Sequence, residues 1–168
     1  IKLENYNRNE EYDLPIIPSP NLPNKKSINL YPSLCLFEGT NVSAGRGTDL
    51  QFQIYGSPYL DKNKNEYKFI PVKNSESKYP KHENKLCFGK ILTDAERLNK
   101  LNLSFLLDAY NDTSNKEDFF NSYFIKLAGT EDLQNQIING ELENKIVESW
   151  QEKLNIYKRM RTKYLIYN

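Results

Sequence analysis

The sequence predicts an α+β domain in which a small mixed or antiparallel sheet is covered by helices from the C-terminal half. Three observations lead to this expectation. The 168 residues suit one domain that can bury a core of its own. Short apolar or alternating segments, typical of strands, dominate the first half, and apolar residues at helical spacing dominate the second. Strands followed by helices are the order expected of an α+β fold.

The first half supplies the candidate strands. Residues 1–13 are polar and are interpreted as a linker, so the domain is expected to span residues 14–168. Prolines at both ends of a short segment predict a rigid turn over residues 18–23, because each proline fixes its own φ angle and restricts the preceding residue. The candidate strands are residues 14–18, 31–37, 52–55, 67–72 and 86–92.

The apolar period changes after residue 92. Thr93 followed by Glu96 fits a capping box, although Thr93 could equally end the preceding strand. Trp150 lies on an apolar stripe and is therefore expected in the core. Helical spacing is found over residues 93–110, 130–140 and 142–157, and residues 164–167 predict a short closing strand.

Composition excludes several classes of function. The 23 basic and 22 acidic residues leave a net charge of +1, which argues against nucleic-acid binding driven by bulk charge. No stretch approaches the ~20 apolar residues that a membrane span requires. Cys35 and Cys87 could form one disulfide or none, and with the lone His82 they cannot build a zinc site. His82 lies in a polar run and is interpreted as a solvated loop residue.

The most unusual segment is residues 38–48, called here the polar loop. Gly45 and Gly47 allow positive φ angles and close approach of the backbone to a ligand. Such a set of polar groups suits a sugar or another polyhydroxylated ligand. The hydrogen-bonding side chains of the loop are Glu38, Thr40, Asn41, Ser43, Arg46 and Thr48.

Arg46 is the candidate residue for binding an anionic group of a ligand. Its planar guanidinium, held between two glycines, would present two parallel donors to a carboxylate or phosphate. The alternative is a tight surface loop in which Arg46 pairs with Glu38 or Asp49. A phosphate loop is disfavoured, because the segment lacks the Gly-Lys-Ser/Thr ending and no clear helix follows it.

The proline-rich turn is a second candidate site. A rigid turn could direct Ser19 and Asn21 towards a cleft, but it could also be a plain turn with no ligand. Phe52, Tyr55 and Tyr59 could stack on a sugar ring, although aromatic residues in strands more often belong to the core.

Several of these motifs, in this order and spacing, resemble one family. Pro18-Ser19-Pro20-Asn21-Leu22-Pro23, Glu38-Gly39-Thr40-Asn41-Val42-Ser43 and Gly45-Arg46-Gly47-Thr48 are similar to blocks of the YbbC/NamZ family of bacterial exo-β-N-acetylmuramidases. Later blocks of that family are resembled by Phe52 to Pro58, Lys126 to Thr130, Ile137 to Gly140, Trp150, and Arg161 with Tyr164 to Tyr167. The similarity covers nearly all of residues 14–167.

The resemblance implies a two-domain enzyme that releases N-acetylmuramic acid from the non-reducing ends of peptidoglycan fragments. This chain would be its C-terminal domain. A Rossmann-like N-terminal domain, with a Pro-Glu-His-Gly motif that supplies the catalytic glutamate, would precede it. The substrate, a muropeptide or glycan-strand sugar, would bind in the cleft between the domains. Export to the periplasm or outside the cell is expected, and neither a metal nor an organic cofactor is needed.

The resemblance also implies the site residues. Glu38 would be a second carboxylate or a ligand of a sugar hydroxyl, and we favour the second role. Arg46 would bind the lactyl carboxylate of muramic acid. A non-catalytic carbohydrate-binding or scaffold module and, more weakly, a phosphate-binding module are the alternatives. The predicted substrate-binding residues are Ser19, Asn21, Thr40, Asn41, Ser43, Gly45, Arg46, Gly47 and Thr48.

Overall fold

The computed structural model describes residues 14–166. The predicted linker over residues 1–13 and the end of the predicted closing strand lie outside this range. Within it the chain forms a small sheet and six α-helices, and two 3-10 helices adjoin the first and the last of these. The helices are α1 (Lys25–Leu34), α2 (Ser104–Asp112), α3 (Phe124–Ala128), α4 (Asp132–Ile138), α5 (Glu143–Ser149) and α6 (Gln151–Arg161), and the 3-10 helices are Cys35–Gly39 and Thr162–Tyr164.

The sheet has three antiparallel strands, β1 (Ile54–Ser57), β2 (Tyr67–Phe69) and β3 (Cys87–Ile91). Strand β3 lies in the middle, and Gly56 of β1 is paired with Gly89 of β3. A Cβ atom on Gly89 would lie 1.8 Å from the carbonyl oxygen of Tyr55, so the close approach of these strands requires glycine. The α+β prediction with a small antiparallel sheet is confirmed.

One main core joins the helices to the sheet. It is built on Tyr55 of β1, whose ring stacks on that of Phe37 with centroids 4.9 Å apart. Fully burying an apolar side chain of this size contributes about 1.5–3 kcal/mol relative to leaving it exposed. Other fully buried members of this core include Leu30 and Leu34 of α1, Phe52, Leu103 just before α2, Leu106 within α2, and Phe119, Phe124, Ile137 and Ile146 further along the chain.

Residues 31–37 form no strand, so that prediction is wrong. Helix α1 covers most of the segment, because Asn24 caps it. The Asn24 side chain accepts a hydrogen bond from the Ser27 backbone N–H at 2.9 Å, and the Ser27 hydroxyl completes a capping box. Leu30 and Leu34, four residues apart, then face the core together.

The other strand predictions have mixed outcomes. Residues 86–92 are confirmed by β3. Strand β1 begins at Ile54, two residues later than expected, because Phe52 lies in a turn with a φ angle of +53°. Strand β2 ends at Phe69, three residues earlier than expected, because Pro71 has no backbone N–H to donate a hydrogen bond to the sheet. Residues 14–18 form no strand, and the turn that follows them closes with the Leu22 N–H donating to the Ser19 carbonyl at 2.9 Å.

The helical half also departs from the prediction in places. Residues 93–103 contain no helix, so the capping-box interpretation of Thr93 is wrong. The helix expected over residues 142–157 is two helices that meet at Trp150, which is only half-buried against the core. No residue of α6 is buried. Residues 164–166 of the predicted closing strand form no strand, because Tyr164 ends a 3-10 helix that begins at Thr162.

The helix predicted after Thr130 is confirmed as α4. The Thr130 hydroxyl accepts a hydrogen bond from the Asp132 N–H at 3.1 Å, and Gly140 ends the turn with a φ angle of +74°. Among residues 14–166, none of the helices has the length and apolar character needed to cross a bilayer.

Candidate functional site

A pocket of about 460 Å³ lies beside the polar loop. Three parts of the chain form it: the polar loop with the preceding Phe37, the segment that runs from Ser77 to Lys81, and Tyr123 immediately before α3. Its polar and aromatic lining consists of Phe37, Glu38, Ser43, Arg46, Ser77, Lys78, Tyr79, Lys81 and Tyr123. The structure thus brings residues that are far apart in the sequence to one concave surface.

Two glycines give the polar loop its shape. Gly45 and Gly47 have φ angles of +80° and +82°, a region that residues with a Cβ atom rarely adopt. A Cβ atom on Gly47 would also lie 2.6 Å from Cβ of Pro80. The Thr48 hydroxyl closes the turn by donating to the Gly45 carbonyl at 2.7 Å. The positive φ angles predicted for these glycines are confirmed, and close approach of their backbone to a ligand stays a prediction.

Arg46 and Glu38 form an ion pair at the pocket. The Arg46 Nη1 atom lies 3.3 Å from Oε1 of Glu38, and the two side chains are 42% and 29% exposed. A pair with this exposure contributes about 0–1 kcal/mol, so little free energy is lost when a ligand displaces one partner. The ion pair expected of a plain surface loop is therefore present, but both of its members also line the pocket.

Lys81 is a site residue that the sequence analysis missed. Its ammonium donates to the carbonyl oxygens of Phe37 at 2.9 Å and Val42 at 3.0 Å, and also to that of Thr40. Burial lowers the pKa of Lys81 to about 8, and the negative charge of Glu38 opposes this effect. The lining holds three basic side chains, those of Arg46, Lys78 and Lys81, against the single carboxylate of Glu38, so it favours an anionic ligand.

His82 is not a solvated loop residue, so that prediction is wrong. It is half-buried with a φ angle of +61°, and its Nε2 atom lies 2.6 Å from the Asn41 carbonyl and 3.4 Å from the Ser57 hydroxyl. Burial lowers the pKa of His82, the hydrogen bond to the Asn41 carbonyl opposes this effect, and the positive charges of Lys81 and Lys85 add to it. Because Nε2 donates its proton to the Asn41 carbonyl, it cannot accept one from Ser57, so the two do not form a nucleophile–base pair.

Most hydroxyl groups predicted to bind substrate are used within the polar loop. Thr40 is buried, and its hydroxyl donates to the Phe37 carbonyl and accepts from the Val42 N–H. The Ser43 hydroxyl accepts from the Gly45 N–H at 3.3 Å, although Ser43 also lines the pocket. The role of these groups as substrate ligands stays a prediction.

The predicted amide ligands are placed differently. Asn41 reaches the Asn115 carbonyl with its Nδ2 atom at 3.5 Å, and its buried Oδ1 atom has no hydrogen-bond partner within residues 14–166. Ser19 and Asn21 lie outside the pocket lining, where Asn21 donates to the Glu76 carbonyl at 3.3 Å. Asn21 thus supports the start of the Ser77 to Lys81 segment.

Tyr79 and Tyr123 are two exposed tyrosines that line the pocket. They are 88% and 49% exposed, and neither was singled out from the sequence. The aromatic residues that were considered lie elsewhere: Phe52 and Tyr55 are buried in the core, and Tyr59 packs against His82. Exposed tyrosine rings beside hydrogen-bonding groups can stack on the apolar face of a sugar.

The remaining metal and thiol candidates play no part in this pocket. In the described part of the chain, no three His, Cys, Asp or Glu side chains are grouped so that they could hold a metal ion. Cys35 and Cys87 are both free thiols, and burial raises the pKa of Cys87 to about 12.

Comparison with known proteins gives consistent matches. The family described as the C-terminal part of the exo-β-N-acetylmuramidase NamZ matches residues 29–167. The peptidoglycan β-N-acetylmuramidase NamZ of Bacillus subtilis (strain 168) is 31% identical over 99% of this chain and 45% of its own length. A crystal structure of a DUF1343 family protein from Bacteroides fragilis NCTC 9343 is 41% identical, with a TM-score of 0.89, over 98% of this chain and 47% of that one. The chain thus spans about half the length of these relatives.

Proposed function

The chain belongs to the family of NamZ C-terminal domains, and from this premise we propose that its pocket is the substrate-binding side of a peptidoglycan muramidase. The full-length protein would be an exo-acting glycoside hydrolase that releases N-acetylmuramic acid from the non-reducing ends of peptidoglycan fragments. The residues that perform the chemistry would belong largely to a preceding domain. The pocket described above would bind and orient the terminal sugar.

The observation that carries this proposal is the Arg46 guanidinium, which is exposed to a pocket with an excess of basic groups. N-acetylmuramic acid differs from N-acetylglucosamine by a lactyl ether that ends in a carboxylate. A planar guanidinium can hold a carboxylate through two parallel hydrogen bonds. Hydrogen bonds to charged groups contribute about 1.5–3 kcal/mol, which is enough to distinguish the two sugars.

Glu38 would act as a binding residue. Its carboxylate is held beside Arg46 and faces the pocket, where it can accept a hydrogen bond from a sugar hydroxyl or from the acetamide N–H. When a ligand carboxylate takes one edge of the Arg46 guanidinium, the other edge can keep its contact with Glu38. A role as second catalytic carboxylate is the less favoured alternative, which turnover of a Glu38 variant tests.

Tyr79 and Tyr123 would supply the contact with the sugar ring. Sugars present C–H groups on one face of the ring, and aromatic rings bind that face while polar groups bind the hydroxyls at the edge. The two exposed rings lie along the same pocket as Arg46 and Glu38. This arrangement would bind any N-acetylated hexose, and Arg46 would add the preference for the acidic one.

The partner and the cellular location follow from the substrate. We propose that a preceding domain of the same polypeptide covers the pocket and supplies the catalytic acid. Peptidoglycan lies outside the cytoplasmic membrane, so the full-length protein is expected in the periplasm or outside the cell. The reaction needs no organic cofactor.

Turnover of a disaccharide that carries N-acetylmuramic acid at its non-reducing end tests the proposal. The full-length protein should release N-acetylmuramic acid, and the 168-residue chain should bind the sugar without releasing it. Failure of the full-length protein to release the sugar would contradict the proposed activity. If binding remained in that case, the chain would be a non-catalytic carbohydrate-binding module.

A further inference from the structure

Lys81 and His82 reach the polar loop from a segment that lies about forty residues further along the chain. Lys81 Nζ donates to the carbonyls of Phe37, Thr40 and Val42, which lie 44, 41 and 39 residues earlier. His82 adds a hydrogen bond to the Asn41 carbonyl at 2.6 Å. Four backbone carbonyls around the start of the polar loop are therefore bound by two consecutive side chains.

The geometry at Lys81 is that of a small cation site. An ammonium group has three N–H donors and no acceptor, and here each donor has a carbonyl partner. Three carbonyl dipoles that point at one place repel each other unless a cation lies between them. Burial away from water makes the loss of that cation more costly, because the carbonyl groups would then lack partners.

The bound carbonyls belong to residues that adjoin the site. Phe37 precedes Glu38 in the 3-10 helix, and Val42 precedes Ser43, which pairs with Gly56 of β1. The Lys81 ammonium thus connects the backbone that carries Glu38 to the backbone that is attached to the sheet. Pro80, the preceding residue, lies against Gly47 of the same loop.

We infer that Lys81 is the positioning residue of this pocket: its ammonium acts as an internal cation that holds the polar loop in the shape in which Glu38 and Arg46 face a ligand. Removal of the side chain should leave three converging carbonyls and a space for a small alkylammonium ion. Only the ligand measurement below rests on the proposed function.

The test compares Lys81→Ala with Lys73→Ala, which removes an exposed lysine outside the pocket lining. Each variant is measured in methylammonium chloride and in tetramethylammonium chloride at equal ionic strength, since the second cation has no N–H donor. We expect amide hydrogen exchange over residues 40–48 to be about tenfold faster or more in Lys81→Ala. Methylammonium should restore slow exchange and tetramethylammonium should not, whereas Lys73→Ala should match the unmodified chain in both salts.

Affinity for N-acetylmuramic acid is the second readout and should follow the same pattern, with a loss of about tenfold or more that methylammonium reverses. If Lys81→Ala fails to fold, recovery of the fold in methylammonium alone would support the inference, and failure in both salts would contradict it. Lys81→Met fills the space without supplying donors, so its exchange should be fast in both salts.

The two proposals fail separately. Unchanged exchange in Lys81→Ala, or equal effects of the two salts, would overturn the positioning role of Lys81. An unmodified chain that does not bind N-acetylmuramic acid would count against the proposed function, while the exchange result would still decide the role of Lys81.

Discussion

We expect any side chain at Gly47 to destabilise the polar loop, and Gly47→Ala measures this cost as a change in the free energy of unfolding. Gly47 has a φ angle of +82°, and an alanine in this region costs about 1–2 kcal/mol. Its Cβ atom would lie 2.6 Å from Cβ of Pro80 and 2.8 Å from the Val72 carbonyl oxygen, and such overpacking typically costs a further ~1–3 kcal/mol. We therefore expect Gly47→Ala to lower the free energy of unfolding by about 2–5 kcal/mol.

Gly129→Ala is the matched control. Gly129 has a φ angle of +74°, but no atom lies within 4 Å of where its Cβ would be, so only the conformational cost of about 1–2 kcal/mol applies. Urea denaturation followed by circular dichroism, extrapolated linearly to water, gives both free energies. A loss for Gly47→Ala no larger than that for Gly129→Ala would refute the claim that Pro80 and Val72 pack against the loop.

Three further outcomes are expected. Tyr79→Ala should weaken binding of N-acetylmuramic acid and N-acetylglucosamine by the same factor, about three- to tenfold by titration calorimetry, whereas the exposed Tyr164→Ala should change neither affinity; a loss for one sugar only would exclude simple ring stacking. Burial holds the pKa of His82 below its ordinary value of 6.5, so the unfolded chain binds more protons as the pH falls through 6.5 and the free energy of unfolding should decrease between about pH 7.5 and 5.5. His82 is the only histidine, and asparagine tolerates the positive φ angle at this position. In urea titrations His82→Asn should therefore remove most of this decrease in the free energy of unfolding. An identical pH profile in both proteins would contradict the role of His82. Glu38→Gln in the full-length protein should reduce affinity but retain turnover at saturating substrate, and complete loss of turnover would instead make Glu38 a catalytic residue.

The sequence predicted the fold class and the glycine geometry because both depend on local rules. The antiparallel strand over residues 86–92 and the helix after Thr130 carry their own signals, an apolar strand segment and a capped helix start. Gly45 and Gly47 have the positive φ angles that their spacing suggested. The error over residues 31–37 was also local, because Asn24 with Ser27 three residues later is a helix start signal that the apolar run concealed.

The composition of the pocket was only partly predictable. Glu38, Ser43 and Arg46 were singled out and line the pocket, but Thr40 and Thr48 direct their hydroxyls into the loop. A sequence pattern shows which groups can form hydrogen bonds, whereas the choice between backbone and ligand depends on the local turn.

The missed residues depend on contacts between distant segments. Lys81 binds carbonyls from 39 to 44 positions earlier, and half-buried His82 contacts the Asn41 carbonyl of the polar loop and the ring of Tyr59. Within its own segment each residue has polar neighbours and looks solvated. Tyr79 likewise becomes a site residue only through the pocket that it lines together with Arg46. No pattern of spacing within one segment carries this information.

The most direct test of the central claim is the affinity of the pocket for an acidic against a neutral amino sugar. Isothermal titration of N-acetylmuramic acid and N-acetylglucosamine should be performed on the unmodified chain, on Arg46→Ala, and on Arg159→Ala as a control from the exposed face of α6. The account predicts that the unmodified chain prefers N-acetylmuramic acid and that Arg46→Ala loses about 10- to 100-fold in affinity for it, with little change for N-acetylglucosamine. Arg159→Ala should behave as the unmodified chain. Two results would contradict the claim that this guanidinium binds the lactyl carboxylate. One is an equal loss of affinity for both sugars in Arg46→Ala, and the other is equal affinity of the unmodified chain for both sugars.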